Sequence, residues 1–204
     1  MTPNDFLGIK LTGRNRRLLN EWKEIDKRLR ERKDIFYEVR HRNELGLPTA
    51  YTIEYHLNSI CGVSNLELLG EKGMVNTPIF AQKFILWIDI PRLFPNVDAS
   101  PNYYFKTVDI NGCAIPHPWH PNIRYFGMFA GRVCLNQVDT YAEIIRTIHR
   151  IAAYLRYERY HAKNIPPFPE DLKVAQWVLE QGEPNGWIYF KQNDNNHYQY
   201  YGHS

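Results

Sequence analysis

Cysteine is scarce in this chain: 204 residues contain three, Cys61, Cys113 and Cys134. A small, odd number argues against a disulfide framework and predicts a reducing, cytoplasmic setting. Long apolar runs are missing as well. The longest, Phe84-Ile85-Leu86-Trp87-Ile88, is the length of a strand and falls far short of the ~20 residues that span a bilayer. Residues Met1-Thr2-Pro3-Asn4-Asp5-Phe6 lack the basic-then-apolar layout of a secretion signal. There is no internal repeat. Net charge is only +3, so the overall balance does not demand a nucleic-acid partner. Together these absences predict a soluble protein that does not engage a membrane.

What is present suffices for one core. Hydrophobic residues make up 44% of the chain and aromatics 14%, enough for a single domain of this length. We expect a flexible lead-in over residues 1–13, one domain over 14–190 and a polar tail over 191–204. Positive charge is concentrated early, with twelve Lys or Arg against six Asp or Glu between Lys10 and Arg42. A basic stretch of this kind suits acidic protein surfaces, acidic lipid or nucleic acid, or is simply a solvated helix face.

Periodicity divides the domain. Leu18, Trp22, Ile25 and Leu29 form one stripe of an amphipathic helix of about five turns. Ile35–Arg40 is a short mixed strand. Tyr51, Ile53, Tyr55 and Leu57 alternate with polar residues as in a half-buried strand. Phe80–Ile90 reads as one central strand with Trp87 in the core, and Tyr103–Ile110 as another, ended by the turn pair Asn111-Gly112. From Ile115 to Gln137 periodicity lapses into Pro, His, Gly and aromatics, which marks a functional loop. A capping box, Thr140-Tyr141-Ala142-Glu143, opens a second helix whose face is Ile144, Ile148, Ile151 and Leu155. A third helix is expected with Pro169, Glu170 and Asp171 in its first turn and Gly182 at its end. Grouped strands and segregated helices predict an α+β fold.

The chemistry is concentrated in the irregular loop. His120-Pro121-Asn122 is followed, twelve residues past the Asn, by Cys134. Such a tripeptide can set a side-chain amide beside a sulfur nucleophile. Upstream stand Phe94-Pro95 and Pro101-Asn102-Tyr103-Tyr104-Phe105, and downstream Leu135 follows the thiol. In this order, from about Arg14 to Gln181, the chain resembles ubiquitin-conjugating enzymes. Pro167-Phe168-Pro169 through Trp177 to Gly186-Trp187 resembles the divergent conjugating enzymes of bacterial ubiquitin-like operons, some of which act in phage defence. Two features depart from the family pattern: the Asn-to-Cys spacing is longer, and the tryptophan usual soon after the cysteine is missing.

The resemblance implies the ubiquitin-conjugating fold and a thioester carrier. Cys134 would take the C-terminal acyl group of a ubiquitin-like modifier from an activating enzyme and pass it to an amine of a target protein. Asn122 would donate its amide to the oxyanion or hold the loop in shape. His120 would tie the loop together, or serve as a base. Asp139 is the nearest acid to receive the amine's proton, with Glu170 and Asp171 as alternatives. Arg14, Arg16 and Arg17 would meet the activating enzyme, and Tyr125, Phe126 and Phe129 the modifier's tail or the loop's own packing. A deubiquitinase-like metalloprotease would share the pathway. No cofactor is expected, and His117, His120, Cys113 and Cys134 match no standard zinc spacing. A binding module that keeps the fold without the reaction, and a basic nucleic-acid-binding domain, are the alternatives.

Overall fold

The computed structural model describes residues 1–96, 99–135 and 144–188. Helix α1 (Gly13–Leu29) buries Leu18, Trp22, Ile25 and Leu29 on one face, as their spacing requires. Taking each out of water is worth roughly 1.5–3 kcal/mol, so this stripe anchors the helix on the sheet. The lead-in is not free. Pro3–Phe6 forms a 3-10 turn, and Phe6 sits edge-on to Trp22 at 6.2 Å between ring centres. A single buried aromatic is enough to tie down a segment that carries no periodicity.

Among the described residues six strands follow: β1 (Ile35–Arg42), β2 (Pro48–Tyr55), β3 (Ser59–Val63), β4 (Pro78–Ala81), β5 (Phe84–Asp89) and β6 (Asn102–Phe105). The main sheet is antiparallel in the order β1-β2-β5-β6, while β3 and β4 pair in a separate hairpin. Register places Ile53 between Tyr37 and Leu86, and Tyr51 between Val39 and Ile88. These rows form the inner face against α1 and α2 (Ile144–Leu155).

Two expectations are corrected here. Phe80–Ile90 is not one strand: the polar pair Gln82-Lys83 is a corner where the chain leaves the β3–β4 hairpin for the main sheet. Phe84, Leu86 and Ile88 then occupy the inner face, so alternation turns Trp87 outward, where His41 and Lys106 meet its ring. Ser59–Val63, passed over in the periodicity, is the strand that pairs with β4.

Helix α2 buries Ile144, Ile148, Ile151 and Leu155. The Ile144 N–H donates to the buried Glu21 carboxylate of α1 at 2.7 Å, and Arg17 pairs with that carboxylate at 2.5 Å. This shared carboxylate ties α2 to α1. The expected capping box Thr140–Glu143, Asp139 and the tail lie outside the described residues. Helix α3 (Leu172–Trp177) starts later than expected: Asp171 is its N-cap, and Pro169 and Glu170 precede it. It runs into a π-helical turn, Val178–Gly182. Trp177, Val174 and Val178 gather with Trp119 in a second apolar cluster, apart from the sheet core. Among the described residues no helix is long and apolar enough to cross a membrane. The architecture is an α+β fold with an N-terminal helix, a four-stranded antiparallel sheet and C-terminal helices.

Candidate active site

The segment carrying Cys134 is held on both edges. On one side Val133 N–H donates to the Tyr103 carbonyl at 3.1 Å and Phe105 N–H to the Gly131 carbonyl at 2.7 Å, adding residues 131–133 beside β6. Gly131 permits this approach. Its φ is +91°, and a Cβ there would collide with the Phe105 carbonyl. On the other side Arg124 N–H donates to the Arg132 carbonyl and Cys134 N–H to the Asn122 carbonyl, each at 2.8 Å. With Ile123 bridging Val133, the register sets Asn122 opposite Cys134. Directly opposed residues of an antiparallel pair share a face, with Cβ atoms about 5 Å apart.

This hairpin explains the long Asn-to-Cys spacing. Residues 122–124 and 131–134 are its arms, and residues 125–130 its tip. Cys134 is half-buried, as is Cys61, while Cys113 is exposed; none of the three forms a disulfide. Burial pushes the Cys61 thiol up, against a smaller opposing backbone hydrogen bond.

The amide of Asn122 is almost fully enclosed. Its Oδ1 accepts from His161 N–H at 3.0 Å. Among the described residues no hydrogen bond engages its Nδ2, so the side chain is anchored through its oxygen with its donor end uncommitted. His120 is anchored more completely. Nδ1 accepts from Asn122 N–H at 3.1 Å, which puts the proton on Nε2, facing the Arg159 carbonyl at 3.0 Å. Burial pushes its pKa down to about 3, and the bond to Arg159 opposes that only in part. A neutral, enclosed imidazole with both nitrogens in use ties the loop together, and the base alternative is set aside.

Below the loop, the His120 ring stacks on Tyr154 of α2 at 4.9 Å and 17°. Tyr157, beyond α2, donates its hydroxyl to the Trp119 carbonyl. From the α3 side, Glu170 and Asp171 N–H groups both donate to the Pro121 carbonyl, at 2.8 and 3.0 Å. The Asp171 carboxylate accepts four backbone N–H groups, from Tyr125, Phe126, Lys173 and Val174. It caps α3 and clamps the hairpin tip at once. Glu170 takes Arg132 at 2.6 Å and Arg124 at 3.2 Å. Both acids therefore help to hold the loop. Sequence reasoning placed them at a helix start and among the alternative proton acceptors; the signal for the clamp was Asp171 standing three residues ahead of the buried Val174.

The aromatic trio divides. Tyr125 and Phe126 turn inward against Trp119, and the Tyr125 hydroxyl donates to the Cys61 carbonyl at 2.9 Å. Phe129 is exposed, with Arg132 over its ring at 4.9 Å, and Met128 beside it in sequence is more exposed still. Phe129 and the unanticipated Met128 thus stand at the surface, while the other two pack against Trp119. His117 stacks on Tyr125 at 4.4 Å, and burial pushes its pKa down to about 4 despite the nearby Asp171 charge. Among the described residues no group of three or more His, Cys, Asp or Glu side chains converges.

The three arginines lie elsewhere, in an open groove between the start of α1 and the turn after β5, lined also by Arg92 and Phe94. Arg17 is engaged with Glu21, Arg14 donates to the Pro91 carbonyl at 3.3 Å, and Arg16 is exposed. Burial, then the like charge of Arg92, holds Arg14 below its ordinary range.

No protein-family model matches the sequence, and no curated protein does. Solved structures do. The human ubiquitin-conjugating enzyme E2 G1 is 14% identical with a TM-score of 0.42; the match covers 72% of this chain and 98% of that one. The E2 domain of a Toxoplasma gondii ubiquitin conjugating enzyme is 20% identical with a TM-score of 0.43; the match covers 83% of this chain and 88% of that one. Both likenesses are distant.

Proposed function

We propose that the chain is a conjugating enzyme for a ubiquitin-like modifier, carrying the modifier's C-terminus as a thioester on Cys134. One observation carries this reading: a half-buried thiol and an anchored carboxamide stand opposite each other on one short ladder. A thiolate attacks an activated carbonyl readily, and the thioester it forms stays reactive toward amines. In the discharge step the amine nitrogen bonds to the acyl carbon, and negative charge gathers on the carbonyl oxygen. A neutral donor fixed beforehand, as the Asn122 amide is by His161, stabilises that charge without reorganising. The C–S bond then breaks, its electron pair leaves on sulfur, and the amine proton passes to Asp139 or solvent.

Partners in this proposal are the modifier, an activating enzyme meeting Arg14, Arg16 and Arg17, and a target protein. Exposed Phe129 and Met128 offer the modifier's tail an apolar contact beside the thiol strand. The stack of Trp177 on Trp187 at 6.2 Å lies in the segment resembling bacterial operon enzymes, and a place in such a pathway, with its metalloprotease, belongs to the same proposal.

Incubation with the cognate activating enzyme, ATP and modifier should give an adduct that reductant removes. Cys134→Ser should convert it to a reductant-stable ester or abolish it, and Asn122→Ala should charge normally but discharge onto amines roughly 100-fold more slowly. An adduct that persists on Cys61 or Cys113 in Cys134→Ser would refute the assignment.

A further inference from the structure

Helix α2 ends in a way its own sequence does not favour. The Glu158 N–H reaches back to the Ala153 carbonyl and the Tyr157 N–H to the Tyr154 carbonyl, each at 2.9 Å. This closure puts the turning residue in the left-handed region, a place usually held by glycine. Here it is Tyr157, at φ +54° and almost fully buried. A residue with a Cβ is strained there, and such strain persists only where the surroundings hold it.

What holds it is the loop of Asn122. The Tyr157 hydroxyl donates to the Trp119 carbonyl, and its ring lies 5.0 Å from that of His120. Two further bonds continue the contact: His120 Nε2–H donates to the Arg159 carbonyl, and the His161 N–H to Asn122 Oδ1, both at 3.0 Å. Residues 157, 159 and 161 thus fasten 119, 120 and 122 in order. Arg159 and His161 use backbone groups in these bonds, whereas Tyr157 uses its side chain. Where those backbone groups stand depends on the direction in which Tyr157 turns the chain away from α2.

We propose that Tyr157 is a positioning residue for the Asn122 carboxamide. This inference rests on the thioester reading and deepens it. The hydroxyl fixes the outgoing chain against Trp119, that chain presents the His161 N–H, and the N–H holds Oδ1, with Nδ2 left for the acyl oxygen. Tyr157 acts through Asn122 and not on the reacting atoms. A donor fixed beforehand costs no reorganisation in the discharge step, and the left-handed turn is what keeps it fixed.

Tyr157→Phe keeps the ring and removes only the hydroxyl. In the free, full-length protein the Asn122 side-chain amide is identified by NMR as the signal pair missing from Asn122→Ala, and its mobility is read by nitrogen relaxation. Tyr157→Phe should lower its order parameter by roughly a third, while the backbone amides of β2 and β5 keep their native values. An Asn122 amide as rigid as native, or loosening spread equally over β2 and β5, would overturn the proposal. The second measurement is a double-mutant cycle on discharge. Tyr157→Phe should charge within about twofold of native and discharge onto amines roughly five- to tenfold more slowly. In the Asn122→Ala background the same change should slow discharge by less than about twofold, because no carboxamide is left to hold. Equal slowing in both backgrounds would also overturn the proposal, since a general loss of packing acts with or without Asn122. Failure of the native protein to charge on Cys134 would sink the carrier reading alone, because the amide's rigidity is read without any partner.

Discussion

Ile53 and Trp119 are both fully buried, yet they are held by different means. Ile53 sits on β2 between Tyr37 and Leu86 of neighbouring strands, one member of a regular row facing α1 and α2. Trp119 lies in an irregular loop, met edge-on by Tyr125, Phe126 and Trp177 at 4.6, 5.8 and 5.9 Å. Its backbone is fixed by bonds to Ile60 and Tyr157 instead of by a ladder. In the sheet core, alternation decides the structure and apolar burial supplies the stability. Around Trp119, individual polar side chains decide it, above all Asp171 and His120. The hairpin of Asn122 and Cys134 joins the two: Ile123 and Val133 pack with the sheet core, Tyr125 and Phe126 with the second cluster.

The difference makes the regions separable. Asp171→Ala should have the largest effect, destabilising the protein by about 4 kcal/mol, because it strands buried N–H groups and removes a helix cap together. Hydrogen exchange should show Tyr125, Phe126, Lys173 and Val174 losing protection before β2 and β5. Uniform loss across both regions would break the distinction. Glu21→Gln tests a polar linchpin of the sheet side. It should cost about 3 kcal/mol in urea unfolding, since the Arg17 ion pair is weakened while the Ile144 N–H keeps an acceptor.

Acid should weaken the second region next. The unfolded chain protonates its histidines near the ordinary value of 6.5, whereas His120 resists down to about 3 and His117 to about 4. The unfolded state therefore binds more protons in that window. Stability is full above pH 6.5 and falls as pH drops toward 3. His120 alone should contribute a loss of ~2 kcal/mol between pH 7 and pH 5, read as a falling Tm that His120→Gln flattens. The smallest effect belongs to the sheet: Ile53→Val should cost about 1 kcal/mol at any pH, as one methylene leaves a packed row.

The same contrast governs what the sequence made legible. Helix α1, the inner row of β2 and the face of α2 follow from spacing, because period 3.6 or 2 is imposed wherever one face is buried. Phe80–Ile90 misled because an apolar run hides a corner between two sheets, and Trp87 with it. In the loop, the motif located Asn122 and Cys134, but not the pairing that sets them opposite each other. That pairing depends on Gly131 and on Asp171, some 37 residues beyond Cys134 in the chain. Tyr154 left no trace beyond a helix position, because its stack on His120 comes from what α2 is laid against.

The double anchorage of residues 131–134 has a practical corollary. Since the sulfur's strand is bonded to β6 on one edge and to the Asn122 arm on the other, its position does not depend on how many residues bulge between the arms. A graft or a fluorescent label set between Met128 and Phe129 should ride outward from the fold and leave the thiol where it is. The protruding tip is thus a natural port for reporting on whatever approaches Cys134.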